Sequence, residues 1–324
     1  MEENNKPYSI GVDIGGTNTV FGVVDHRGNI IARGSIKTKK HNNFEGFLND
    51  LYEGITEMLD KNDLVGQIQG IGIGAPSANY NTGRIEHAAN LPWGDIVPIV
   101  EKTSEKFDGI PVAVTNDANA AALGEMTYGV TKGIKDFIMI TLGTGVGSGV
   151  VVNGEMVYGH DGFAGELGHA VVIRPGGRKC GCGREGCLET YCSASGVVRT
   201  ARQFLTERTQ PSLLRNIPFE DITSKDVYDA AKAGDDMANE IFEFTGEILG
   251  QALADFVTFS SPKAFVLFGG LAKSGDLLLN PLKKAFDKAL LFVYRDKPAI
   301  LLSKLDENDA AVLGASALGW QIDK

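Results

Sequence analysis

Long apolar runs are missing from this chain. None approaches the roughly 20 consecutive apolar residues that a bilayer-spanning helix needs, so no membrane association is expected. The N-terminal stretch, M-E-E-N-N-K-P, is polar and acidic and lacks the apolar centre of a secretory leader. Basic residues are in deficit. Lys and Arg number 31 against 41 Asp and Glu, a net charge of −10. A general nucleic-acid or membrane-surface role needs a basic face and is not expected here. A phosphorylated ligand stays open, because converging backbone N–H groups supply local positive potential. Cysteine is scarce, at four residues in 324. A chain of this length with so few cysteines carries no disulfide framework, and it has no C-x-x-C redox motif. Low-complexity segments are absent too. What remains is an ordinary globular composition, 43 % hydrophobic and 22 % charged, long enough for two domains. A reduced, cytoplasmic setting is expected.

The few cysteines are concentrated. Cys180, Cys182 and Cys187 fall in C-G-C-G-R-E-G-C, and His169 stands upstream in G-E-L-G-H. Three thiolates and one imidazole make a complete tetrahedral zinc shell. Cys180 and Cys182 are too close in sequence to pair without strain, and their glycine-rich polar surroundings do not read as core. With all four positions filled by protein, the zinc would be structural and would leave no place for a catalytic water. Glu166 precedes His169 by three residues and Glu189 follows Cys187 by two. A metal joining these loops would therefore place both carboxylates in one polar site. Its loss should release them together and disturb the glycine turns, which belong to other segments, less. Cys192 reads as a small buried apolar residue.

Tyr8 to Val24 reads as strand, glycine turn and strand, and Ile30 to Ile36 as a third strand. Phe44, Phe47, Leu48, Leu51, Ile55 and Leu59 recur at helical spacing. Ile68 to Ile73 and Pro111 to Thr115 read as strands, and A-N-A-A-A-L-G-E-M as a helix. A second strand–turn–strand unit starts at Phe137 and overlays the first with an offset of 128. Ile10 falls on Ile138, Val12 on Ile140, Gly15 on Gly143, Val23 on Val151, Val24 on Val152 and Asp25 on Asn153. The pattern predicts two related α/β halves. Helices are expected over Ser193–Leu205, Ser224–Ala233, Asp236–Phe259 and about Asn308–Trp320, with a strand over Ala264–Phe268 before Gly269-Gly270. Thr206 to Ser224 reads as a polar surface excursion.

The glycines of D-I-G-G-T-N and L-G-T-G-V-G-S-G are followed by β-branched runs rather than by helices, so neither is a dinucleotide or P-loop fingerprint. A hairpin turn of this kind still gathers backbone N–H groups with no Cβ in the way, and Thr17, Asn18 and Thr144 add side-chain donors. Two matched turns can clamp a polyphosphate. Asp117 ends an apolar strand and precedes a helix. It suits a helix cap and equally the C-terminal strand edge where α/β proteins bind ligands. Asn90 reads as a loop residue, Trp93 as packing, and His26, His41, His87 and His160 as ordinary.

With these motifs in view, the chain resembles the sugar kinases of the ROK family, and the bacterial glucokinases within it most of all. The resemblance spans essentially the whole chain. It rests on D-I-G-G-T-N at 13–18, N-D-A-N at 116–119, L-G-T-G-V-G-S-G at 142–149, G-E-L-G-H at 165–169, C-G-C-G-R-E-G-C-L-E at 180–189 and F-G-G at 268–270. It implies two related α/β domains of the actin-like ATPase (ribonuclease H-like) type with a cleft between them. Residues 1–117 with 308–324 would form one domain and 118–307 the other. The implied reaction is transfer of a phosphoryl group from ATP to the 6-hydroxyl of glucose, with Asp117 as the base. Asn90, Asn116, Asp117, Glu166, His169 and Glu189 would hold the sugar. Asp13 with Gly15, Gly16, Thr17, Asn18, Gly143, Thr144 and Gly145 would hold Mg²⁺ and the phosphates, and Gly269 and Gly270 would border the adenosine. His169 can serve zinc and sugar at once through its two nitrogens. The family suggests a dimer or tetramer. Kinases of the same family for N-acetylglucosamine, mannose, fructose or allose, and polyphosphate as donor, stay open, since the motifs do not encode the shape around C2 and C4. A sugar-responsive repressor would need a DNA-binding domain ahead of the first phosphate strand. That strand begins near Tyr8, so a repressor is not expected.

Overall fold

The computed structural model describes residues 6–88 and 90–322. Tyr8–Ile14 (β1) and Asn18–Asp25 (β2) form an antiparallel hairpin that Ile30–Lys37 (β3) extends. Phe44–Lys61 (α1) follows, capped where the Asn43 side chain accepts the Gly46 N–H, and it buries the predicted stripe from Phe44 to Leu59. Ile68–Gly74 (β4) comes next. A small ribbon follows, built from Ala78–Asn79 (β5), Arg84–Glu86 (β6) and Ile96–Val97 (β7), then Ile99–Lys106 (α2) and Val112–Thr115 (β8). The first large sheet runs β3-β2-β1-β4-β8, with the last two pairings parallel.

Asp117–Tyr128 (α3) leads to a second sheet made of Phe137–Leu142 (β9), Val146–Val152 (β10), Glu155–Met156 (β11), Ala264–Phe268 (β12) and Ala299–Leu302 (β13). Its order is β11-β10-β9-β12-β13, again with two antiparallel and two parallel pairings. The predicted repeat is therefore real. Its constant offset is not. Ile10 pairs with Val23, whereas Ile138 pairs with Val150. Val23 thus corresponds to Val150 rather than Val151, Val24 to Val151, and Asp25 to Val152 rather than Asn153. The first turn spans four residues, Gly15 to Asn18, between the paired Ile14 and Thr19; the second spans three, Gly143 to Gly145, between Leu142 and Val146. One residue is lost at the turn, so the offset drops from 128 to 127 beyond it.

Between β11 and β12 lie Glu189–Cys192 (α4), Ala194–Glu207 (α5), Ser224–Lys232 (α6) and Asp236–Ser260 (α7). Asp276–Ala289 (α8) follows β12 and packs along α7. Ser193 caps α5, and Thr223 with Asp226 forms a capping box on α6. The segment from Thr206 to Ser224 is less of an excursion than its polarity suggested. Leu214 and Ile222 are buried in the core, and the Arg215 guanidinium binds the carbonyls of Leu205, Arg208 and Gln210. Glu307–Gly319 (α9) returns to the first sheet and packs on β1, β4 and α3. It approaches with almost no side chain between. A Cβ on Gly72 would stand 1.9 Å from the Ala315 carbonyl oxygen, and one on Gly314 2.4 Å from that of Ala120. Among the described residues no helix is long and apolar enough to cross a membrane.

Candidate functional site

The first turn is closed by the Gly15 N–H donating to the Asn18 carbonyl at 3.0 Å. Lys37 Nζ, opposite in the ladder, donates to Asn18 Oδ1 at 2.8 Å and brings a cation to the turn. The Asn90 side chain lies over Gly16, within 3.7 Å of where a Cβ would be. Asp13, near the end of β1, faces the same space. Burial, and then the neighbouring charge of Asp117, raises its pKa from 3.8 to about 6.

Asn116, not Asp117, caps α3: its Oδ1 accepts the Asn119 N–H at 2.7 Å. Asp117 is the first helical residue. Its Oδ1 accepts the Ala118 N–H at 2.8 Å, which fixes the carboxylate's direction. Solvent reaches this carboxylate, yet protein walls it on most sides, and burial pushes its pKa up. The capping role left open for Asp117 thus belongs to its neighbour.

Gly165–His169 is folded by Ser148, whose hydroxyl donates to the Gly165 carbonyl and accepts the Leu167 N–H. Cys180 and Arg184 close a tight loop through the Cys180 N–H and the Arg184 carbonyl at 2.9 Å. These loops bring His169, Cys180, Cys182 and Cys187 together, with one ligand atom from each inside a 4.8 Å cluster. His169 Nδ1 lies 3.7 Å from Cys180 Sγ, and Cys182 Sγ lies 3.7 Å from Cys187 Sγ. Zn–S bonds of about 2.3 Å in a tetrahedron set sulfurs about 3.8 Å apart, so the donor set and its spacing fit zinc. Because Nδ1 faces the sulfurs, Nε2 is left for another partner. Glu166 has its pKa raised, chiefly by burial, and feels the charges of His169, Asp117 and Glu189.

Glu189 ties the cysteine segment to the second glycine turn. Its Oε2 accepts the Val146 N–H at 3.0 Å, its Oε1 stands 3.9 Å from Cys180 Sγ, and a Cβ on Gly145 would collide with it at 2.4 Å. The Ala194 N–H donates to the Gly143 carbonyl and Ser195 Oγ to the Thr144 carbonyl. One carboxylate therefore links the cysteine cluster to this turn, although the turn belongs to another segment of the sequence. Gly269, at φ +101°, abuts the Leu142 carbonyl at the base of the turn, and Gly270 borders open space.

Asp13, Asp117, Glu166, His169 and Glu189 are thus electrostatic neighbours, and Glu189 and His169 join them to the cysteine cluster and the second glycine turn. Three contributors gave no local signal. Arg178 braces the cysteine loop through the Thr190 carbonyl and Gln203, its guanidinium 4.7 Å from the Tyr191 ring. Ser148 and Lys37 act through partners distant in sequence. Cys192 is fully buried and Trp93 packs on Phe44 and Phe47, as expected. His26 packs by stacking its ring on Trp320 at 3.8 Å.

A five-stranded sheet that occurs twice in the same order, each copy opening on a glycine turn, is the architecture of the actin-like ATPases. The chain belongs to the ROK family, whose model matches residues 9–322. It is 38 % identical to a glucokinase of Halalkalibacterium halodurans, over 97 % of this chain and 94 % of that protein. A Streptomyces coelicolor glucokinase is 35 % identical over 97 % of this chain and 98 % of its own length. Among solved structures, the ROK family glucokinase from Streptomyces griseus in complex with glucose and AMPPNP aligns with a TM-score of 0.78 at 34 % identity, covering 97 % of this chain and 99 % of that one.

Proposed function

We propose that this protein is an ATP-dependent glucokinase that phosphorylates the 6-hydroxyl of glucose. Its strongest support in the geometry is the meeting of Asp117 with Asp13 on one side and Glu166, His169 and Glu189 on the other. Phosphoryl transfer asks a protein mainly for in-line positioning and charge neutralisation. The Asp117 carboxylate would take the proton from the sugar hydroxyl. A carboxylate raised by burial is a stronger base than an ordinary one, and the Ala118 N–H aims it. Asn90, Asn116, Glu166, His169 Nε2 and Glu189 would hold the other hydroxyls. Each hydroxyl left unpaired in a closed site costs about 1–3 kcal/mol, which selects a sugar over water. Asp13 and the turns Gly15–Asn18 and Gly143–Gly145 would hold Mg²⁺ and the phosphates, and Gly269 and Gly270 the adenosine. Mg²⁺, when bound, neutralises charge on the β- and γ-oxygens. Zinc on His169, Cys180, Cys182 and Cys187 would be structural, since it orients the sugar-binding loops and leaves no open ligand position.

Residues 1–117 with 308–324 and residues 118–307 would act as two units closing on the substrates. The protein would work in the cytoplasm, where thiolates stay reduced, as a dimer or tetramer. The test is a coupled assay of ADP release across a hexose panel with Mg²⁺. Glucose should give the highest kcat/KM. No release with any hexose or N-acetylhexosamine would end the kinase assignment.

A further inference from the structure

The turn between β5 and β6 reaches across to the loop that runs from β11 to Gly165. The Tyr80 and Tyr158 rings lie face to face, with centroids 4.0 Å apart and planes 3° apart. Asn79 Nδ2 donates to the Asp161 carbonyl at 2.7 Å, and Asn81 Nδ2 to the Gly159 carbonyl at 3.2 Å. Asn79 is almost wholly buried, and its Oδ1 accepts the N–H groups of Asn81 and Thr82, so its donor is aimed by the turn itself. Thr115 Oγ1, buried and without a hydrogen bond of regular geometry, faces the Tyr158 hydroxyl. The far loop is closed at its base by the Ala164 N–H donating to the Tyr158 carbonyl at 3.0 Å.

The Tyr80–Tyr158 stack, the bonds from Asn79 and Asn81 to the far loop, and the Thr115–Tyr158 approach all cross between the two repeats. Asn79, Tyr80, Asn81 and Thr115 stand on the first, and Tyr158 to Asp161 on the second. Both sides continue directly into the sugar groups named above. Thr115 precedes Asn116 and Asp117, and the far loop runs straight into Glu166 and His169.

We propose that this clasp sets the affinity for hexose. It holds the loop of Glu166 and His169 in register with the strand end of Asn116 and Asp117, so that the acceptors for the sugar are prearranged. Tyr80, Tyr158, Asn79 and Asn81 are positioning residues, and none needs to touch the sugar. A prearranged site spends less of its binding energy on ordering. The phosphate turns are held by other contacts, so nucleotide affinity should not follow. The proposal rests on the hexose site proposed above.

Glucose binding by calorimetry, alongside KM for glucose and for ATP, tests it. Tyr80→Ala removes the stack and should weaken glucose binding about tenfold or more, with KM for ATP within about twofold of wild type. Tyr80→Phe keeps the stack and should restore affinity. Asn81→Ala removes the exposed Nδ2 hydrogen bonds to the Gly159 and His160 carbonyls and should weaken glucose binding about threefold. Unchanged glucose affinity in both alanine variants overturns the clasp. So does an equal loss of glucose and ATP, the mark of general loosening. Should Tyr80→Ala fail to fold, Asn81→Ala decides. A wild-type chain that binds glucose without transferring phosphate ends the kinase reading and leaves the binding comparison to judge the clasp. A wild-type chain that binds no hexose overturns the clasp as well.

Discussion

Asn116 and Asp117 are adjacent, nearly isosteric and differently employed. The Asn116 side chain accepts the Asn119 N–H and caps the helix, while Asp117 accepts only the adjacent Ala118 N–H and is not the cap. That division makes the proposed base separable from the cap. Asp117→Asn should lower kcat by at least about 10²-fold with the fold retained, as read by circular dichroism. Asn116→Ala should lose about 1 kcal/mol of stability, read by denaturant melts. Near-normal turnover in Asp117→Asn would remove Asp117 from the chemistry. Asp13 gives a pH signature. Its folded pKa of about 6 lies above the ordinary 3.8, so between these values the native state keeps a proton that the unfolded chain has released. Its contribution to stability is present in full below 3.8 and is lost as pH rises through about 6. The melting-temperature difference between wild type and Asp13→Asn should follow that curve in the nucleotide-free protein. Affinity for MgATP needs the carboxylate and runs the other way. The KM for ATP should climb as pH falls through about 6, and a flat profile would deny Asp13 the metal.

At the scale of elements, Glu189 is the junction. It follows Cys187, the last cysteine of the proposed zinc set, by two residues and accepts the Val146 N–H beside the second glycine turn. Cys182→Ala should therefore lose its metal and weaken glucose and ATP binding together, as measured by metal analysis and separate titrations. ATP affinity at the wild-type level would show that the tether is idle. The long elements were legible in the sequence because their periodicity is strong and their ends are punctuated, as at Asn43, Ser193 and Thr223. The ribbon β5–β7 was not, because two- or three-residue strands carry no periodic signal. α8 was missed although Leu278, Leu279, Leu282, Ala285 and Phe286 recur at helical spacing, with Pro281 breaking the pattern; β13 is four residues long and finds its partner β12 in another segment. The one-residue change of offset was hidden by composition: Val150, Val151 and Val152 are identical, so no side chain marks the slip. In the site, cysteine spacing announced the metal cluster, and the glycine turns announced themselves. Asp13, Asn90, Gly269 and Gly270 had only family resemblance behind them, because their meaning lies in what the fold sets opposite them. Tyr80 and Tyr158 had nothing, for the same reason.

For the whole molecule, the decisive contact is the return of α9 from the far end of the chain. It seats backbone against backbone on β4, at Gly72. Gly72→Ala should cost at least about 2 kcal/mol, since the added methyl has no rotamer by which to escape; a denaturant midpoint equal to wild type would contradict the packing. The same helix meets α3 through Gly314 on Ala120. Helices usually interlock as ridges in grooves, and to move one the teeth must disengage. At that point glycine against alanine has no teeth, but farther along the same pair of helices Leu123 packs with Leu318, and the Tyr128 hydroxyl meets Ser316 and Trp320. The joint is therefore smooth at one end and keyed at the other. Any turning of one repeat over the other would have to loosen the Tyr128 contacts first.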